Sequence, residues 1–127
     1  MEIRLLNGQT ANLHLTGHKR RSTPGESKSR LQYDVGVWLS QQYPCDMIYE
    51  EVRVPVENFV LDFFIPSLGL VIEVNGRQHE TFVPHFHGTK RDFVLQQQRD
   101  RRKAEWCLKN GFDLRLYTAK DIPNGNP

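Results

Sequence analysis

Two apolar runs close together in the chain, each broken by one carboxylate, constrain this fold more than any other feature. Phe59-Val60-Leu61-Asp62-Phe63-Phe64-Ile65 ends at Pro66, and Leu70-Val71-Ile72-Glu73-Val74 ends at Asn75-Gly76. Short runs rich in β-branched and aromatic residues read as strands, and continuous apolar character marks strands covered on both faces. The expected strands are Asn58 to Ile65 and Leu68 to Asn75, preceded by a third over Met47 to Val54.

The flanking segments supply the cover. Leu31, Val35, Trp38 and Leu39 recur at helical spacing and stop before Pro44. Thr23-Pro24-Gly25-Glu26 ahead of them reads as a capping box with proline at the first helical position, so this helix is expected to start there. A second helix follows Thr89, with Phe93, Gln97, Asp100, Ala104, Cys107 and Leu108 at spacings of three and four, and Gly111 supplies its stop. Phe112 to Thr118 makes a last strand, with Leu114 and Leu116 facing one way. At the other end, Ile3 to Leu6 and Ala11 to Leu15 flank Asn7-Gly8, a dipeptide suited to a tight hairpin turn. Two strands alone are marginal, so the hairpin is expected to pack on the main domain or on a partner. The expectation is therefore an α/β chain: an N-terminal hairpin extension over 1–17, one core over 23–118, and a tail over 119–127.

With 127 residues, 38% hydrophobic and 25% charged, the chain suits a single soluble domain. Its net charge of +2 is mild, but the basic residues cluster at His18-Lys19-Arg20-Arg21 and again at Arg99, Arg101, Arg102 and Lys103. Such clusters can track phosphates, or simply solvate a helix face. No apolar run reaches the roughly 18 residues a membrane helix needs, and no signal peptide opens the chain, so a cytoplasmic protein is expected. Cys107, beside Trp106, reads as a reduced core thiol. His79, His85 and His87 lack the spacing of a zinc site, and phosphate-binding glycine loops, serine nucleophile elbows and Cys/His catalytic spacings are absent.

The chemistry is then read from the acids. An unpaired charge inside a strand costs several kcal/mol, so a buried carboxylate implies a partner. Asp62 and Glu73 lie on consecutive strands and could converge on one divalent cation, since Mg²⁺ takes one or two carboxylates plus waters. The other reading gives each acid its own arginine at the sheet edge. His79, in the turn after the third strand, is placed to move protons near neutral pH. Asp100, on the inward stripe of the second helix, needs a partner too, and orienting a histidine or a metal-bound water is one such task.

The order Asp62, Glu73, His79, Asp100 on helix–strand–strand–strand–helix–strand resembles the PD-(D/E)XK nuclease superfamily. Within it, the chain is similar to the branch of very-short-patch repair endonucleases and EDxHD phage homing endonucleases. The resemblance covers about residues 23–118 and is carried by Leu61-Asp62-Phe63, by Val71-Ile72-Glu73-Val74-Asn75-Gly76-Arg77-Gln78-His79, by Arg99-Asp100 with Lys103, and by Leu108-Lys109-Asn110-Gly111-Phe112. It implies a restriction-endonuclease-like core and Mg²⁺-dependent hydrolysis of DNA phosphodiesters, nicking or cutting both strands, in a bacterium or phage-infected cell, with Mn²⁺ able to substitute. Asp62 and Glu73 would be the metal ligands, His79 the general acid/base and Asp100 its partner. Lys19, Arg20, Arg21, Arg101 and Arg102 would touch DNA phosphates. Where the family has a lysine two residues after the strand acid, this chain has Asn75. The family's first-helix glutamate aligns with Gln32, while Glu26 fits its capping role. The missing lysine keeps open a second reading, a DNA-binding module without catalysis. A third makes the hairpin a docking surface for a second copy or a partner protein.

Overall fold

The computed structural model describes residues 1–15, 29–74 and 90–118, with the backbone alone at Asp92 and Phe93. The two acid-bearing runs form neighbouring interior strands of one mixed sheet. β3 (Tyr49–Val54), β4 (Phe59–Ile65), β5 (Leu70–Val74) and β6 (Asp113–Tyr117) lie in that order. β3/β4 and β4/β5 pair antiparallel across short turns, whereas β5 and β6 pair parallel. A parallel pair needs a long crossover, and helix α2 (Lys90–Asn110) provides it. The remaining pieces are a hairpin of β1 (Glu2–Arg4) and β2 (Thr10–Asn12), and helix α1 (Arg30–Gln42).

Alternation along β5 sends successive side chains to opposite faces and so distributes the helices. Leu70 and Ile72 join Phe63, Ile65, Val35 and Leu39 on the α1 face. Val71 joins Val52, Val54, Leu61, Phe64, Trp106 and Cys107 on the α2 face. Ile3, Leu5 and Leu13 of the hairpin are buried in that same second cluster. Two reciprocal hydrogen bonds fix the hairpin to the end of α2: the Arg4 amide donates to Asn110 Oδ1 (2.7 Å), and Asn110 Nδ2 donates to the Arg4 carbonyl (2.9 Å). The hairpin thus closes the α2 face of the core.

The sheet carries one internal irregularity, and it lies beside Asp62. Pairing runs Tyr49↔Phe64 and Glu50↔Phe63, then resumes at Val52↔Leu61. Between these rungs Glu51 takes a left-handed φ of 52°, which costs a non-glycine residue about 1–2 kcal/mol. Both strands change face at this step. Tyr49 and Val52 share the α2 face although they stand three positions apart, as do Leu61 and Phe64.

Several elements differ from expectation for local reasons. The helix bearing Val35 and Leu39 starts at Arg30, where extended Ser29 caps it by accepting the Gln32 amide (3.1 Å); Thr23 to Glu26 lie outside the described residues. The hairpin turn is wider than Asn7-Gly8 alone. Pairing ends at Arg4↔Thr10, and the Leu5 amide reaches the Gln9 carbonyl (2.8 Å) across a loop in which Gly8 takes φ 92°. On α2, Ala104 is exposed and Leu108 is 82% exposed, while Lys103, Trp106 and Cys107 turn inward. Leu116 of β6 is likewise half exposed. No described helix is long and apolar enough to cross a membrane.

Candidate functional site: two interlocked carboxylates beside a buried lysine

The β4/β5 ladder ends at Phe63↔Ile72, one step short of Asp62 and Glu73. Side chains take over where the next rung would stand. Glu73 Oε2 accepts the Asp62 amide (2.9 Å), and Asp62 Oδ2 accepts the Val74 amide (2.8 Å). Each acid therefore satisfies a backbone donor that strand pairing has left open. The two carboxylates are brought together at the place where the strands part.

Lys103 comes in from α2, its Nζ 2.5 Å from Glu73 Oε1 and its residue only 8% exposed. An ammonium so deeply placed needs a carboxylate within reach. Burial pushes the Glu73 carboxyl above the usual carboxylate range and neighbouring Asp62 adds to this, while Lys103 pulls the other way. The Cys107 thiol is pushed up to about 12, mainly by burial and further by Glu73. It is inert core, as the sequence implies.

Asp62, Glu73 and Lys103 line a cavity of about 690 Å³ between the outer half of the β3–β4 ribbon and α2, together with Asp100, Arg53 and Arg99. Asp100, Glu73 and Lys103 also border a smaller, more apolar space of about 240 Å³ against Leu114 and Leu116. Among the described residues no group of three or more His, Cys, Asp and Glu side chains is arranged to hold a metal ion. Two adjoining carboxylates opening on a cavity fit a hard cation that keeps most of its waters, as Mg²⁺ does, and not a zinc cage.

Of the residues singled out from sequence, the structure brings Asp62, Glu73 and Asp100 to the lining of one cavity. Gln32 does not line that cavity. It is fully buried on α1, with Nε2 donating to Glu50 Oε2 (2.8 Å). Arg102, expected to meet phosphate, is engaged within the protein: it donates to the Glu57 carbonyl, lies 3.6 Å from Glu57 Oε1 and sits over the Phe59 ring. Arg101 is exposed and does not line the cavity. His79, Lys19, Arg20 and Arg21 lie outside the described residues. The sequence shows Lys103 in a run of bases and within the stretch that carries the family resemblance, and its register with Trp106 and Cys107 on the inward stripe is the physical signal that it is buried.

The chain is similar over about half its length to viral proteins. It is 46% identical over 68 residues to "Uncharacterized protein 307L" of Invertebrate iridescent virus 6, covering 52% of this chain and 34% of that protein. It is 43% identical over 57 residues to "Uncharacterized protein 033L" of Invertebrate iridescent virus 3 (45% of this chain, 29% of that one). It is also 43% identical over 65 residues to "Uncharacterized protein 094L" of Frog virus 3 (49% and 42%). The match thus spans about a third to two fifths of the length of these relatives. No protein-family model and no solved structure matches it.

Proposed function

We propose that this chain is a metal-dependent DNA endonuclease of viral or mobile-element type, built on a restriction-endonuclease-like core. One observation carries the reading: Asp62 and Glu73, from adjacent strands, meet on the wall of an open cavity where their ladder ends. Mg²⁺ bound there would polarise the scissile phosphate and lower the pKa of an attacking water. Asp62 and Glu73 would hold the ion. Lys103, fixed on Glu73 Oε1, supplies the ammonium that the Asn75 position lacks and sets a positive charge beside the reacting phosphate. Asp100, lining the same cavity, would orient the proton-carrying group, a role the resemblance gives to His79.

The test is nicking of supercoiled plasmid with Mg²⁺ or Mn²⁺ by wild type and Asp62→Ala. Metal-dependent nicking that disappears in the variant supports the proposal, and no nicking by well-folded wild type defeats it. A binding-only module is the second reading, favoured by the fact that both Glu73 oxygens already have protein donors. It predicts DNA binding without nicking, and no rise in melting temperature with divalent ions, because a ligand bound only by the folded state must raise it.

A further inference from the structure

We infer that Arg53 and Arg99 form a phosphate-gripping wall over the acid pair, so that this cavity receives a DNA strand lengthwise; the inference rests on the nuclease reading and names the residues that hold its substrate. Arg53 reaches the cavity from β3, opposite Val60, and Arg99 from α2, one turn before Lys103. They come from two different elements and border the same space as Asp62 and Glu73. Both are exposed, and among the described residues neither is held in a salt bridge, whereas Arg102 is tied to Glu57 and Lys103 to Glu73. The bases of this region thus divide in two. Arg102 and Lys103 pin α2 to the sheet, and Arg53 and Arg99 are left for an anion.

The charge balance of the cavity points to the same ligand. Among the described residues its ionisable lining is Arg53, Arg99 and Lys103 against Asp62, Glu73 and Asp100, three of each sign. A free anion gains little from so mixed a lining. A polyanion presenting several phosphates at fixed spacing can place one on each guanidinium, with bidentate hydrogen bonds, while a third approaches the acids with a cation between. Removing one acid should then improve metal-free binding, because the cavity gains a net positive charge.

The experiment uses full-length Asp62→Asn protein in EDTA, which cannot cut, and reads fluorescence anisotropy of a labelled random-sequence DNA duplex across a salt series. Asp62→Asn should bind more tightly than wild type in EDTA. On that background Arg53→Gln and Arg99→Gln should each weaken binding roughly tenfold and flatten the slope of log affinity against log salt by about one. Arg115→Gln, on β6 and outside the cavity lining, should change affinity less than twofold, and circular dichroism melts check that all variants fold. Equal losses from Arg115→Gln and Arg53→Gln, or no loss from Arg53→Gln and Arg99→Gln, would overturn the wall. Tighter, equally arginine-dependent binding of an RNA strand would overturn DNA as its ligand. Wild-type plasmid nicking is scored separately. Nicking with silent arginines removes the wall and leaves the nuclease, whereas arginine-dependent binding without nicking does the reverse.

Discussion

Glu50 and Glu73 are both glutamates set in strands of one sheet, and the protein treats them in opposite ways. Glu50 is 1% exposed and faces an amide: Nε2 of Gln32, itself fully buried, donates to it, and the amide oxygen Oε1 of Gln32 has no hydrogen-bond partner among the described residues. Glu73 adjoins a second carboxylate and a lysine, and opens on a cavity. A buried carboxylate alone does not make a site. What distinguishes Glu73 is like charge placed next to like charge with room left for a compensating ion, whereas Glu50 and Gln32 seal a polar contact inside the α1 face.

That contrast can be broken by measurement. The largest effect is expected at Glu73's neighbour: Asp62→Ala should lower Mg²⁺-dependent nicking about a thousandfold, corresponding to ~4 kcal/mol of lost metal-assisted stabilisation. Gln32→Leu should leave nicking within a few-fold, and a comparable loss of nicking in folded protein would move Gln32 into the site and erase the distinction. Lys103→Met should come next, lowering stability by about 3 kcal/mol because Glu73 is left without its cation. Mn²⁺ should then raise the melting temperature of this variant more than that of wild type, and an equal shift would show that lysine and metal do not share Glu73. Gln32→Leu should itself cost about 1–3 kcal/mol in urea unfolding by taking away the amide hydrogen bond to buried Glu50. The smallest effect concerns the two thiols. At pH 8 iodoacetamide should label exposed Cys45 while Cys107, pushed up to about 12, stays protonated and unlabelled until the chain unfolds. Rapid labelling of Cys107 in folded protein would mean that the packing around Trp106 and Glu73 is looser than described.

The legible part of this molecule is the part governed by periodicity and by anomaly within it. β4, β5 and the helix that crosses from β5 to β6 follow from apolar runs and a 3.6-residue repeat, and Asp62 and Glu73 stand out because everything around them is apolar. Glu50 does not stand out. Glu51 and Arg53 beside it make the strand look solvent-facing, and the left-handed turn at Glu51 that sends Glu50 inward leaves no mark in residue type. Lys103 is hidden for the complementary reason, since a lysine among arginines reads as surface until its register with Trp106 is known. The division of bases into α2 pins and cavity wall depends on Glu57, a turn residue whose carboxylate also accepts the Leu6 amide (2.6 Å). No local pattern links residues so far apart.

Because each acid stands in for a missing rung of the ladder, their neutral isosteres are not interchangeable. Asparagine at 62 retains a carbonyl oxygen for the Val74 amide. Glutamine at 73 has one oxygen to offer two donors, the Asp62 amide and the Lys103 ammonium, and must turn its own NH₂ toward one of them. Position 62 is therefore the place to silence the chain while keeping its shape for trapping a bound strand. A lesion at 73 mixes lost chemistry with a frayed sheet end.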